Sequence, residues 1–248
     1  MKKSIVILSG GLDSSTVLYI AKSEGYELYA LTFTYGQRHK IEVKRARKIA
    51  KLAGVREHRF VDLPIPRGSA LTDDIEVPKG RTIEELSIEI PPTYVPARNT
   101  LFIAYALQYA EEVGADVIFT GITSTDSSGY PDTRPEYVEA YQNLINKATK
   151  QTTTEKAIEL KSPLLHLYKS ETISIGMELG VSYEDTWSCY SPVAIYESGL
   201  ENDLTEYQPC LQCDTCKLRI KGFVEAGFKD PSVSTERWEE VLRKWKEK

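Results

Sequence analysis

An α/β fold, a parallel sheet with helices on both faces, is what this 248-residue chain predicts, and three observations carry that expectation. Short apolar runs alternate with segments of helical period through the first half. Glycines close the helical segments, as at Gly25, Gly54, Gly114 and Gly180. The length, with 41% hydrophobic and 27% charged residues, suffices to bury a large core.

In order, residues 4–8 read as a strand and 14–24 as a helix. Residues 27–33 form a second strand, with Leu28, Ala30, Leu31 and Phe33 apolar. A helix over 39–53 gathers Ile41, Ala46, Ile49, Ala50 and Ala53 near one face, and 57–61 is a third strand. Residues 62–96 carry six prolines and many charges, too long for a simple connection, so a lid or mobile insertion is expected there. Beyond it, 98–113 is a strongly apolar helix, 116–120 a strand, 135–148 a helix, 158–160 a short strand and 170–179 a helix. Such alternation implies right-handed crossovers and a Rossmann-like sheet, whose ligands sit beyond the carboxyl ends of the strands. No internal repeat stands out.

The net charge of −5 argues against a general nucleic-acid or membrane-surface binder. No apolar stretch approaches the roughly 20 residues that span a bilayer, and residues 5–8 are too short for a signal-peptide core. A cytoplasmic protein without nucleic-acid or membrane partners is the expectation.

The most informative stretch is Ser9-Gly10-Gly11-Leu12-Asp13-Ser14, directly after the first strand. Two glycines let the backbone turn and bring N–H groups toward a ligand, and the helix N-terminus adds partial positive charge. The stretch lacks the Gly-Lys-Ser/Thr of a Walker A loop and the Gly-x-Gly-x-x-Gly of a dinucleotide site. It resembles the Ser-Gly-Gly-x-Asp-Ser loop of PP-loop ATP pyrophosphatases, which cradle the pyrophosphate of ATP. An ordinary turn capped by Ser14 is the competing reading.

All four cysteines fall in the last quarter: Cys189, Cys210, Cys213 and Cys216. The Cys-x-x-Cys-x-x-Cys run suits a tetrahedral thiolate site, so one closed, structural Zn2+ is expected. A [4Fe–4S] cluster is the rival, opposed by the missing proline after Cys216 and by the distant upstream ligand.

Further motifs follow in order: Phe33-x-Tyr35-Gly36-Gln37-Arg38-His39 with Glu42; Val95-Pro96-Ala97-Arg98-Asn99; Gly129-Tyr130-Pro131-Asp132-x-Arg134-Pro135-Glu136; Ser162-Pro163-Leu164; Lys169-x-Glu171-Thr172; and Trp187-Ser188-Cys189-Tyr190. With the glycine turn and the cysteines, they make the whole chain similar to the 7-cyano-7-deazaguanine synthases. These are PP-loop enzymes of queuosine and archaeosine precursor biosynthesis, with an adenine nucleotide alpha hydrolase-like fold. The resemblance implies an ATP-dependent C–N ligase that turns 7-carboxy-7-deazaguanine and ammonia into the nitrile, through an adenylated carboxylate and an amide. It also implies bound zinc, Mg2+ with ATP, and a homodimer. A PP-loop domain over 1–184 and a small helical zinc-binding region over 185–248 are the corresponding division.

Site roles follow from the same resemblance. Leu8, Ser9, Gly10, Gly11, Leu12, Asp13, Ser14, Ser15, Thr16, Val17 and Leu18, with Phe33, would contact the nucleotide. Asp13, Arg38, His39, Arg98 and Lys169 would be catalytic, Asp13 positioning magnesium and the cations neutralising carboxylate or phosphate charge. Gln37, Arg38, Asp132, Arg134 and Glu136 would hold the deazapurine, a carboxylate accepting from its amidine edge. Solvent-facing charge is the alternative for Arg38, His39, Arg98 and Lys169, and loop structure or capping for Asp132 and Glu136.

Two departures stand out. Thr133 replaces a cysteine that family members often carry, and the interval from Cys189 to Cys210 contains extra acidic sequence over 194–207. Two other functions compete. A tRNA-thiolating enzyme would need a spare thiol and a basic surface, and a non-catalytic zinc nucleotide-binding module would need no polar constellation around the glycine turn. A glutamine-hydrolysing domain is not expected, so free ammonia is the nitrogen donor.

Overall fold

The computed structural model describes residues 1–36, 41–64, 67–82, 90–124, 129–150, 157–196 and 206–246. Five parallel strands, β1 (Lys3–Ile7), β2 (Glu27–Thr34), β3 (Glu57–Asp62), β4 (Val117–Phe119) and β5 (Glu159–Lys161), lie in the order β3-β2-β1-β4-β5. The order reverses at β1, whose neighbours are β2 on one side and β4 on the other, so the crevice at its carboxyl end is the topological switch point.

The period-2 alternation of the strands divides the core into two apolar clusters. Val6, Leu8, Leu28, Ala30 and Phe119 face one side, Ile5, Tyr29, Leu31, Phe33 and Ile118 the other. Helices α1 (Leu12–Ser23) and α2 (Ile41–Ala53) cover the first face. On the second lie α3 (Arg98–Val113) and α4 (Pro135–Ala148). Both of these have the bounds the sequence predicts, and the other expected strands and helices lie within about two residues of their predicted ends.

Among the described residues three further α-helices follow, α5 (Lys169–Glu178), α6 (Asp214–Glu225) and α7 (Thr235–Lys246). Ile173 of α5, Ile220 and Phe223 of α6, and Trp238 of α7 join the same apolar cluster as Val6 and Leu8. Gly222 lets α6 approach α5 closely, because a Cβ there would sit 2.5 Å from Cγ of Lys169 and 2.8 Å from Cδ1 of Ile173. A glycine on α6 thus gives the stem of Lys169 its seat.

The described part of the segment after β3 packs against the cysteine region. Ala70 and Val77 pack into the cysteine cluster, Lys79 bridges to Cys213, and Arg81 pairs with Asp214. Extra sequence between Cys189 and Cys210 forms an antiparallel ribbon, β6 (Val193–Tyr196) against β7 (Glu206–Gln208), which the sequence does not announce. Among the described residues no helix is long and apolar enough to cross a membrane.

A buried ion pair fixes the region between α5 and α6. Arg219 on α6 donates from Nε and Nη2 to Asp230 at 2.6 and 2.9 Å, and also to the Tyr183 carbonyl and the Thr186 hydroxyl. Breaking a buried pair strands a charge in low dielectric, so Asp230→Asn lowers unfolding free energy by about 3–5 kcal/mol in urea titration. A loss under about 1 kcal/mol would contradict the structural role assigned to the pair.

Candidate active site

A cavity of about 310 Å³ opens at the carboxyl ends of β1, β2 and β4. Its floor is the glycine turn. Gly10 has φ +83°, and its carbonyl accepts from the Trp187 N–H at 2.9 Å. The Ser9 hydroxyl accepts from the Gly11 N–H at 3.2 Å and lies 2.9 Å from the Ser14 hydroxyl. Gly11 is the N-cap of α1 and supplies no side-chain cap, so the first amides of the helix face the cavity mouth as anion donors.

Leu8, Ser9, Gly11, Leu12, Asp13 and Ser14 line this cavity, together with Phe33, Arg98 and Lys169. Lys169 reaches across from the first turn of α5 to donate from Nζ to Asp13 Oδ1 at 2.6 Å. Ser15 donates to the Gly11 carbonyl at 2.7 Å, and Thr16 lies 2.8 Å from the Tyr183 hydroxyl. Val17 and Leu18 are fully buried in the core, because the helical period turns them away from the cavity.

The opposite wall is built around Arg98. Ala97, in the left-handed region at φ +53°, turns the chain into α3 and starts the helix at Arg98. Arg98 donates to the Tyr35 hydroxyl at 3.0 Å, with its guanidinium 5.7 Å from the Tyr35 ring centre and 5.9 Å from that of Phe102. Burial opposes its charge, but the oxygens of Tyr35, Tyr190 and Tyr130 outweigh that and keep it protonated. Burial also raises the Tyr35 and Tyr190 phenols, which stay neutral.

Asp132 is buried beside this wall, accepting from the Asn99 N–H at 3.3 Å, while its carbonyl accepts from the Asn99 side chain. Thr133, at the position of the expected family cysteine, lines the cavity and donates to the Tyr130 carbonyl at 2.9 Å. Arg134 and Glu136 are exposed, Arg134 donating to the Pro131 carbonyl at 3.1 Å. Gln37, Arg38 and His39 lie outside the described residues.

Several lining residues carry no role in the sequence reading: Tyr35, Glu42, Tyr190 and Ser188. All four fall inside the quoted motifs, which was the available signal. Glu42 stands on the first turn of α2, and burial pushes its carboxyl up to about 7, with Arg98 pulling the other way.

Behind Trp187 and Ser188 lies the cysteine cluster. Sγ atoms of Cys189, Cys210, Cys213 and Cys216, all buried, lie within 4.8 Å of one another. Leu211, left-handed at φ +62°, turns the Cys210–Cys213 knuckle, and Cys213 then caps α6 so that Cys216 projects from its first turn. Backbone N–H groups of Cys210, Gln212 and Cys213 donate to sulfur at 3.2–3.4 Å, which favours thiolates. Hydrogen bonding from Cys189 pulls Cys213 down to about 6 and Cys210 lower still. Four sulfurs this close cannot all ionise without a cation between them, so the donor set fits a metal ion.

The family model for "Queuosine biosynthesis protein QueC" matches residues 3–227. A 7-cyano-7-deazaguanine synthase of Syntrophus aciditrophicus is 51% identical, over 94% of this chain and 97% of that protein. One from Paramagnetospirillum magneticum is 47% identical, over 94% and 98%. One from Kineococcus radiotolerans is 48% identical, over 93% and 96%. With the glycine turn, the Arg98 wall and the four buried cysteines in place, the match extends over every part of the site, and the chain belongs to the QueC family of 7-cyano-7-deazaguanine synthases.

Proposed function

We propose that the chain converts 7-carboxy-7-deazaguanine and ammonia to 7-cyano-7-deazaguanine at the expense of ATP, and that the ion held by its four cysteines is zinc. The observation that carries the reading is one cavity with an anion-binding glycine turn on its floor and a half-buried, charged arginine on its wall.

A carboxylate is a poor electrophile. Its oxygen attacks the α-phosphorus of MgATP, pyrophosphate leaves, and an acyl adenylate remains. Ammonia displaces AMP to give the amide. A second ATP adenylates the amide oxygen, and loss of AMP with the nitrogen's protons leaves the nitrile, so each carboxyl oxygen departs in AMP. Phosphoryl transfer of this kind depends on positioning and charge neutralisation. The amides at the start of α1 and the Ser9 and Ser14 hydroxyls hold the phosphates. The Lys169 ammonium, released from Asp13 by the incoming phosphates, neutralises charge, while Asp13 orients the accompanying magnesium. Arg98 receives the substrate carboxylate, with Tyr35 fixing its orientation, and Asp132 accepts from the amidine edge. Gln37, Arg38 and His39, just before α2, complete the set.

Zinc, when bound to the four thiolates, supplies a closed structural cross-link and no open position for chemistry. The sulfur spacing supports one ion over an iron–sulfur cluster, whose several irons would hold the thiolates further apart.

Pyrophosphate release from ATP tests the reading. Release requires 7-carboxy-7-deazaguanine, the nitrile appears by mass spectrometry when ammonium is added, and Asp13→Asn lowers turnover at least about 100-fold with unchanged folding. Release that needed tRNA and a sulfur donor, or no release under any condition, would overturn it.

A further inference from the structure

Ammonium poses a problem that the residues already assigned do not solve. At neutral pH the nitrogen donor is chiefly the cation, which has no lone pair, so attack on an acyl adenylate requires a group that binds the cation and removes a proton. Two acidic side chains line the cavity among its described residues, Asp13 and Glu42, and no histidine does. Asp13, 2.6 Å from Lys169 at the phosphate end, is committed in the proposed reaction to magnesium. That leaves Glu42.

Its position fits the task. The Glu42 main-chain carbonyl lies against Gly10, so the first turn of α2 abuts the glycine turn, while its side chain shares the cavity wall with Arg98. With the substrate carboxylate received at Arg98 and its oxygen joined to the α-phosphate above the glycine turn, the acyl carbon lies between these two points. We infer that the Glu42 carboxylate binds the ammonium ion there and takes its proton, so that ammonia attacks the adenylated carbonyl; the inference rests on the reaction proposed above.

The bonds balance. One N–H bond of ammonium breaks and its proton passes to a Glu42 oxygen. The freed lone pair forms the C–N bond, the C–O bond to AMP breaks with its electrons on the phosphate oxygen, and the surplus proton of the attacking nitrogen follows to that oxygen. Glu42 returns its proton to water before the next ammonium enters. The electrostatic neighbours of Glu42 among the described residues are the Arg98 guanidinium from α3, which favours the ionised form, and the Tyr35 and Tyr190 phenols, which remain neutral. On its own helix, Arg45 and Lys48 pair with Asp185 instead. A carboxyl raised by burial to about 7 is both basic enough to accept the proton and ionised in useful amount at neutral pH.

The test compares ammonium with hydroxylamine, a nucleophile that is already uncharged at neutral pH. In Glu42→Gln, ammonium-dependent amide formation at pH 7 falls about 100-fold, whereas hydroxylamine-dependent pyrophosphate release falls less than about 5-fold, and the ammonium deficit shrinks as pH rises to about 9. Equal losses with both nucleophiles, or no loss with ammonium, would overturn the assignment. In the unsubstituted enzyme, kcat/KM for total ammonium levels off above about pH 7. A climb of tenfold per pH unit until ammonium itself is deprotonated would mean that no enzyme base acts, whether or not the variant folds. Absence of deazapurine-dependent pyrophosphate release from the unsubstituted enzyme would instead overturn the reaction itself.

Discussion

Gly10→Ala abolishes measurable pyrophosphate release and lowers unfolding free energy by about 2–5 kcal/mol. Two costs add. The residue sits at φ +83°, where a Cβ meets the following carbonyl, and that Cβ would overlap the Glu42 carbonyl oxygen and lie 2.6 Å from the Ala46 nitrogen. Both obstacles are backbone of α2, so relief requires the helix to withdraw from the glycine turn, taking the Glu42 side chain with it. Gly25→Ala supplies the control. Its φ is +78°, yet nothing stands within 4 Å of the added carbon, so it carries only the torsional cost of about 1–2 kcal/mol and leaves catalysis intact. Urea titration of both variants, alongside pyrophosphate release, separates the terms. Equal losses in the two would mean that the contact between α2 and the turn contributes nothing.

Cys213→Ser removes the metal and unfolds the surroundings of the active site together. The four sulfurs lie in one buried cluster with Trp187, Ala70 and Val77, so this region's core is assembled around the four thiols. Loss of a structural metal belongs to the large class of effects, about 4 kcal/mol or more, which for a chain of this size lowers Tm by roughly 8–16 °C. Elemental analysis falls well below the metal content of the parent protein, and a chelator acting on the parent reproduces the drop in Tm. The consequence extends to ATP. Trp187 donates from its indole nitrogen to the Cys189 carbonyl at 2.9 Å and from its backbone to the Gly10 carbonyl, so one residue links a metal ligand to the phosphate turn. KM for ATP therefore rises in the variant. A full equivalent of metal at unchanged Tm would contradict a four-thiolate site.

The elements with the strongest period were legible in the sequence. Helices α3 and α4 begin and end where apolar spacing, Gly114 and Pro135 put them, because these signals act over neighbouring residues. The ribbon of β6 and β7 was not legible: Val193–Tyr196 and Glu206–Gln208 are short, exposed in part and paired across a long insertion. Nor was the docking of the segment after β3 on the cysteines legible. Its anchors are single long-range contacts, such as Arg81 with Asp214, which no local pattern encodes.

By itself, the order of residues determined the glycine turn, the run of three thiols from Cys210 to Cys216 and the alternation of strand and helix, since each depends on groups within a few positions of one another. Only the folded chain decided which side chains share the cavity. Lys169 meets Asp13 across 156 positions, Arg98 meets Tyr35 across 63, and Glu42 acquires its raised pKa from burial. Proximity across a sheet's switch point and exclusion of water are properties of packing, and one-dimensional spacing does not carry them.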